Sequence, residues 1–334
     1  MRKFTAKLVL IFTLFVMAVT PKFLCSETGV VIHIRADGSI DPSSAPISTT
    51  DNITYVLTGK VLIGITVERD NIIIDGKGYS IQGTEAWGSI GITMNGRSNI
   101  TICNLHIDAF WHGIEILYSS NIDICFNEIT YHYDGIILIS TSNSSIYGNI
   151  IVENYDDGIW IEKSTSNKIC DNTIYGSSIT THDYGITLYE SSYNRIERNT
   201  ITNIEYGLGF QYSTGNNASS NTIKAVNQYG IWLQLSSNNS IYKNNFMNNT
   251  CHAYTFESTG NFWDNGLEGN YWDDYNGNDT NGDVIGDTAY IIDEDNKDHY
   301  PLMFPHMVPE VPFPYALLVC VVATLPIILY KRKS

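Results

Sequence analysis

Basic residues are scarce in this chain. Lys and Arg number 19 against 35 Asp and Glu in 334 residues, a formal net charge of −16. Seven of the nineteen (Arg2, Lys3, Lys7, Lys22, Lys331, Arg332, Lys333) stand near the ends, so the body is more acidic still. Such a surface excludes nucleic acid as a partner and favours cations, neutral sugars or plain solubility. Cysteine is also sparse: Cys25 and Cys320 belong to the ends and the other four are scattered, which leaves no dense disulfide framework. Cys103 and Cys125, 22 residues apart, read as small buried hydrophobes, with a disulfide as the alternative. Helical periodicity is missing throughout the body.

Long apolar runs occur only at the two ends. A basic start (Arg2, Lys3, Lys7) followed by Leu8 to Val19 has the pattern of a secretory signal, placed at 1–26, a first membrane anchor being the alternative. Residues 311–330 carry no charge and precede Lys331-Arg332-Lys333. That pattern predicts a C-terminal transmembrane helix with a basic cytoplasmic tail at 331–334 and the body on the extracellular face.

The body repeats itself. The phrases WHGIEIL, YDGIILI, NYDDGIWIE, DYGITLYE, EYGLGF and QYGIWLQL recur along it. Each copy opens with an Asn (71, 99, 121, 143, 167, 194, 217, 239, 261) at spacings of 22 to 28 residues, the length of one solenoid coil. Within a copy an Ile is followed three residues later by Asn and two later by an apolar residue, as in Ile124, Asn127, Ile129 or Ile169, Asn172, Ile174. Asn104, Asn149, Asn199, Asn221 and Asn244 share the place. An Asn there suits a left-handed corner and can bond to its equivalent one coil away, so these residues predict an internal ladder. After it comes Gly-Ile and a strand of period two, with Ile114 and Ile116, Ile159 and Ile161, Ile186 and Leu188, Ile231 and Leu233 turned inward.

Together these features predict an all-β chain, a right-handed parallel β-helix of about eight or nine coils. Residues 27–70 cap and start it, 71–265 carry the repeats, 266–305 form an acidic C-terminal cap, and 306–310 link to the anchor. IRADGSIDPSSAPI, DNIIIDGKGYSIQG, the Asn/Ile units and GNYWDDYNGNDTNGDVIGDTAYIIDEDNKDHYPLM resemble the NosD-type β-helix proteins, within the carbohydrate-binding and sugar-hydrolase group of pectin-lyase-like solenoids, in a form familiar from archaeal cell surfaces. The resemblance implies the fold; function does not follow from it.

Equivalent positions stack about 4.8 Å apart in such a fold, so the residues just before Gly-Ile form lines. Two before the glycine stand Trp111, Tyr133, Asp156, Asp183, Glu205 and Gln228; one before it stand His112, Asp134, Asp157, Tyr184, Tyr206 and Tyr229. Asp156, Asp183 and Glu205, with His182 on a longer loop, are the candidate catalytic set. Trp160, Trp232, Tyr184, Tyr206, Tyr229, Asp134 and Asp157 are the candidate carbohydrate-binding set, because a sugar offers both an apolar face and hydroxyls. Solvated acids and ordinary Trp packing are the plainer alternatives. Coil spacing alone permits either a retaining or an inverting glycosidase. No Lys or Arg occurs in the lines, which disfavours elimination chemistry.

The NosD resemblance brings copper with it, but the histidines (33, 106, 112, 132, 182, 252, 299, 306) are dispersed and no Cys- or Met-rich cluster occurs, so copper is not expected. Asp279, Asn281, Asp283 and Asp287 offer oxygen ligands at a spacing suited to Ca²⁺, although Val284 stands where an EF-hand-like loop wants glycine; a polar turn without metal is the alternative. Seven sequons (Asn52, Asn99, Asn143, Asn217, Asn238, Asn248, Asn278) fit a glycosylated exterior. The favoured reading is a membrane-anchored surface protein that binds polysaccharide or cell-envelope glycan. A glycan-active hydrolase or epimerase and a purely structural or adhesive envelope protein are the alternatives.

Overall fold

The computed structural model describes residues 31–176 and 183–307. The signal segment, the anchor, the basic tail and His182 lie outside these residues. No helix of the described residues is long and apolar enough to cross a membrane.

The described chain is a parallel β-solenoid with three sheets of eleven, ten and nine strands. One turn shows the plan: His112–Leu117 in the first sheet, Ser120–Cys125 in the second and Glu128–Thr130 in the third. The next turn lies directly on it, with Ile114 on Ile136, Ile122 on Ser144 by a corner bond, and Ile129 on Ile151. Each strand is too short and too half-polar to be stable alone; it exists because the coils above and below complete its backbone bonds and cover its apolar side. The inward residues Ile114, Ile116, Ile159, Ile161, Ile186, Leu188, Ile231 and Leu233 are fully buried. Each such side chain contributes roughly 1.5 to 3 kcal/mol through burial.

The corners carry three internal polar ladders. In the long one, Oδ1 of each Asn accepts from the main-chain N–H and from Nδ2 of the Asn one coil earlier, through Asn127, Asn149, Asn172, Asn199, Asn221, Asn244 and Asn270. The second runs through Asn167, Asn194, Asn216, Asn239 and Asn261. A third is built of hydroxyls, with main-chain N–H groups donating in turn to Thr141, Ser164, Ser191, Ser213, Ser236 and Ser258. A corner cannot form ladder bonds of its own, so these side chains satisfy buried main-chain groups that would otherwise be costly.

Three details differ from the sequence reading. The left-handed conformation falls on the residue before each ladder Asn, such as Phe126, Gly148, Asp171 and Arg198, and not on the Asn itself. Asn104 is one of these left-handed residues, and Leu105 stands in the ladder register instead. The opening asparagines also divide. Asn167, Asn194, Asn239 and Asn261 are ladder rungs, whereas Asn71, Asn99, Asn121 and Asn143 are exposed left-handed corner residues, and the rung near Asn217 is Asn216.

Both open ends are covered. At the start, Ile32–Ile34 pairs antiparallel with Ile40–Asp41, and Ile47–Ser48 with Thr54–Leu57, so unpaired strand edges are not left for other chains. At the far end, Trp263 and Trp272 seal the core. Buried Asp298 ends the long ladder, taking the N–H of Asn270 and the indole N–H of Trp272.

Candidate functional site

Eight of the eleven strands of the first sheet, from Ile90–Asn95 onward, are six residues long, and their first, fourth and sixth residues face outward while the others pack inward. The glycine at the second position fixes this arrangement. A Cβ on Gly135 would meet the carbonyl oxygen of Gly158 at 2.6 Å, and one on Gly158 that of Gly185 at 2.7 Å. Only glycine allows the coils to close up there, and the residue before it is thereby turned out of the corner in each coil from Gly91 to Gly230; His252 takes the place in the last one.

Register then makes columns. His112 lies on Asp134, Asp157 on Tyr184, Tyr184 on Tyr206, Tyr206 on Tyr229 and Tyr229 on Cys251. Beside this column runs another, Glu115, Ile137, Trp160, Thr187, Gly209, Trp232 and Tyr254. Trp160 and Trp232 are thus on the outer face, half-buried by their neighbours.

Acids gather at the centre of the face. Asp134, Asp156 and Asp157 bring one carboxylate oxygen each within 4.8 Å of the others. Oδ1 of Asp134 accepts the main-chain N–H of Asp157 at 3.1 Å, and its Oδ2 lies 3.3 Å from Nε2 of His112. Nδ1 of His112 is 3.0 Å from Glu115. Burial alone would lower the His112 pKa, but the bonds to Asp134 and Glu115 outweigh it and carry it up to about 9, so the ring is an imidazolium at neutral pH. The Asp157 pKa is raised as well, which favours its neutral form. Burial, and behind it the charges of Asp134 and Asp156, push its carboxyl well above the usual range, although the Thr187 hydroxyl donates to it at 2.6 Å. Burial and then the charge of Asp156 push the Tyr133 phenol up to about 12.

Aromatic rings flank the acids on both sides. Towards the N-terminus, Trp111 stacks on Tyr133 with ring centres 4.2 Å apart, and Trp87, 72% exposed, tilts against Trp111. Towards the C-terminus, Tyr184 stacks on Tyr206 at 4.5 Å and Tyr229 on Tyr254 at 4.6 Å, with Trp232 tilted against Tyr184 and Tyr206. Trp160 stacks on Tyr189 at 5.8 Å.

The set Asp156, Asp183 and Glu205 is only partly brought together. Their backbones follow one another, since Asp156 accepts the N–H of Tyr184 and Asp183 that of Tyr206. Asp156 joins the acid cluster. Asp183 is 2% exposed and lines a small corner cavity with Asp156, Asn154, Gly176 and Ile204, its Oδ1 accepting the N–H of Glu205. The Glu205 side chain accepts from Gln228 at 3.0 Å. His112 stands in the predicted line but not in either candidate set, and Glu115 was not named from the sequence; both adjoin the cluster. The alternation that placed Trp160 outward places Glu115 in the same column, and that signal was available.

The acidic loop near the C-terminus turns its oxygens on its own main chain. Asp279 accepts the N–H groups of Gly282, Asp283 and Val284, Asp283 that of Ile285, and Asp287 that of Thr280. A second cluster of side chains joins the cap to the last coil: His252 Nε2 lies 2.8 Å from Asp273 and 3.4 Å from Asp274.

The class defined by these features is a parallel β-solenoid with an acidic, aromatic-lined lateral face. Residues 63–277 match the family described as "Periplasmic copper-binding protein (NosD)", and the chain belongs to that family. No curated protein sequence matches the chain. Among solved structures, the periplasmic alginate epimerase AlgG is similar at 19% identity, with 72% of this chain and 70% of that one covered and a TM-score of 0.46. The Dettilon tailspike protein is similar at 16% identity (72% and 66% covered, TM-score 0.44). The lidless DFA-IIIase of Arthrobacter chlorophenolicus A6 is similar at 11% (63% and 65% covered, TM-score 0.39).

The family description mentions copper, and the donor sets can be tested against that metal. Among the described residues, the ligand-capable clusters are the three aspartates and the His252–Asp273–Asp274 group; neither includes a thiol or a second histidine. Other histidines are engaged singly, His33 by Glu68, His106 by Glu128, His299 by Asp264, and buried His132 by main-chain groups of Ile107 and Phe110. Carboxylate-dominated sets of this kind do not fit the soft or imidazole-rich coordination that selects copper.

Proposed function

We propose that the outer face of the first sheet binds a polysaccharide chain lying along the solenoid axis. The observation that carries this reading is the pair of aromatic stacks, Trp87–Trp111–Tyr133 and Tyr184–Tyr206–Tyr229–Tyr254, standing in line on either side of polar groups at the centre. Stacked rings give successive sugars an apolar platform, and the central carboxylates accept their hydroxyls. Screening the purified chain against soluble polysaccharides, with Tyr206→Ala and Trp111→Ala as controls, tests it. Loss of binding in both variants supports a continuous site; binding that neither variant alters places the ligand elsewhere and removes the proposal.

A hydrolase is the second reading, and the Asp134–Asp157 pair favours it. These carboxyls belong to adjacent coils and bring one oxygen each within 4.8 Å of the other, a separation suited to a retaining glycosidase, and burial pushes the Asp157 carboxyl well above its usual range. Release of reducing ends by the parent chain, abolished in Asp157→Asn with binding retained, would establish it. Display on the extracellular face of the cell membrane through segments 1–26 and 311–330 belongs to the same proposal. Release of a chain truncated after Pro309 into the medium is its test. For residues 279–287, the main-chain bonds of the carboxylates support the metal-free turn over calcium.

A further inference from the structure

The chemistry of the face narrows the class of glycan, granted the binding reading above. In the six-residue strands of the first sheet, from Ile90–Asn95 to Cys251–Phe256, no Lys or Arg stands at any outward position or immediately before the strand. The carboxylates are Glu115, Asp134, Asp156, Asp157, Glu162, Asp183 and Glu205, with Asp157 and Asp183 the most buried. Against them stands His112, and Asp134 and Glu115 already flank both of its ring nitrogens. Lys163, at the corner beyond the face, is held by Glu162 and Glu190.

A uronate chain brought onto this surface would add a carboxylate per acidic unit, with no guanidinium or ammonium to receive it. An amine fits the same place. It donates charge-assisted hydrogen bonds to carboxylates, and the faces of Trp111 and Tyr133, next to Asp156, attract cations through their ring quadrupoles. The acids repel a uronate and attract an ammonium, and the rings beside them favour positive charge in the same coils.

We infer that the polysaccharide taken by this face is an amino-glycan, with protonated amines on its sugar units, and that uronate chains are refused.

Three hexamers of similar size separate the outcomes: glucosamine, N-acetylglucosamine and galacturonate, titrated calorimetrically against the full chain at pH 6. The glucosamine hexamer should bind at least about tenfold tighter than the galacturonate hexamer, and its affinity should fall on raising salt from ~20 to ~200 mM. Asp156→Asn, checked for unchanged thermal unfolding, should weaken the glucosamine hexamer about three- to tenfold and leave the N-acetylated one unaltered. Galacturonate binding as tightly as glucosamine overturns the inference while the glycan reading stands. So does equal, salt-insensitive binding of the amine and its N-acetyl form. If none of the three binds, the inference falls, and the polysaccharide screen with Tyr206→Ala and Trp111→Ala decides separately whether the glycan reading falls with it.

Discussion

His112 and Asp134 are register partners on adjacent strands of the first sheet, Nε2 and Oδ2 3.3 Å apart, and the carboxylate helps hold the imidazole in its charged form. The raised pKa of His112 means that the folded chain binds this proton more tightly than the unfolded one. The stability it contributes is full below its ordinary 6.5 and is lost as pH rises through about 9. Asp134→Asn should bring the His112 titration down by about a unit or more, read by NMR, because the remaining partner is Glu115 alone. A titration unmoved by the substitution would mean that Glu115 carries the whole effect.

Asn172→Leu tests the long ladder. Its Oδ1 takes two bonds from Asn149, and its Nδ2 donates to the carbonyl of Ile146 and to Asn199. Leucine leaves those main-chain groups buried without partners, at a cost of roughly 1 to 3 kcal/mol in chemical denaturation. An unchanged midpoint would show that the corner can rearrange.

Asp298 should make the C-terminal cap sensitive to pH. Burial, opposed by the bonds from Asn270, Trp272 and Tyr300, raises its pKa from 3.8 to about 6. A carboxyl shifted this way favours the folded state most below 3.8, and that advantage is lost as pH rises through about 6. Comparing the melting temperature of the parent and Asp298→Asn between pH 4 and pH 7 isolates it: the parent should gain more on acidification than the variant. Parallel curves would assign the pH dependence to other groups.

Trp160→Ala and Trp232→Ala should each weaken glycan binding by roughly 1 to 2 kcal/mol if the outer columns form the platform. Isothermal titration with the tightest-binding hexamer gives the values. Trp232, which touches both Tyr184 and Tyr206, should cost the more of the two.

Asp279→Ala bears on calcium. Because Asp279 bonds to three main-chain amides of its own loop, the variant should melt lower with or without the ion, and adding Ca²⁺ should raise the melting temperature of parent and variant equally. A rise confined to the parent would restore the calcium assignment.

The strands, the coil length and the inward isoleucines were legible in the sequence because they depend on local periodicity. Alternation of period two fixes which side of a strand is apolar, and a 22-residue repeat leaves room for little besides one solenoid turn. Gly-Ile marked the corner, so His112, Asp134, Asp157, Tyr184, Tyr206 and Tyr229 could be stacked by counting alone. Counting could not tell a ladder rung from the left-handed residue beside it: Asn121 and Asn167 occur in similar phrases but sit one position apart in register. Nor could it show that the Asp183 side chain is buried while Asp156 joins the acids across the coil boundary, because both are the same residue at the same place in the repeat. The direction of a side chain at a corner is set by what the neighbouring coils leave open. That is a property of packing, and only the tertiary structure decided that His112 would sit between Glu115 and Asp134 and that Asp157 would be shut away from water.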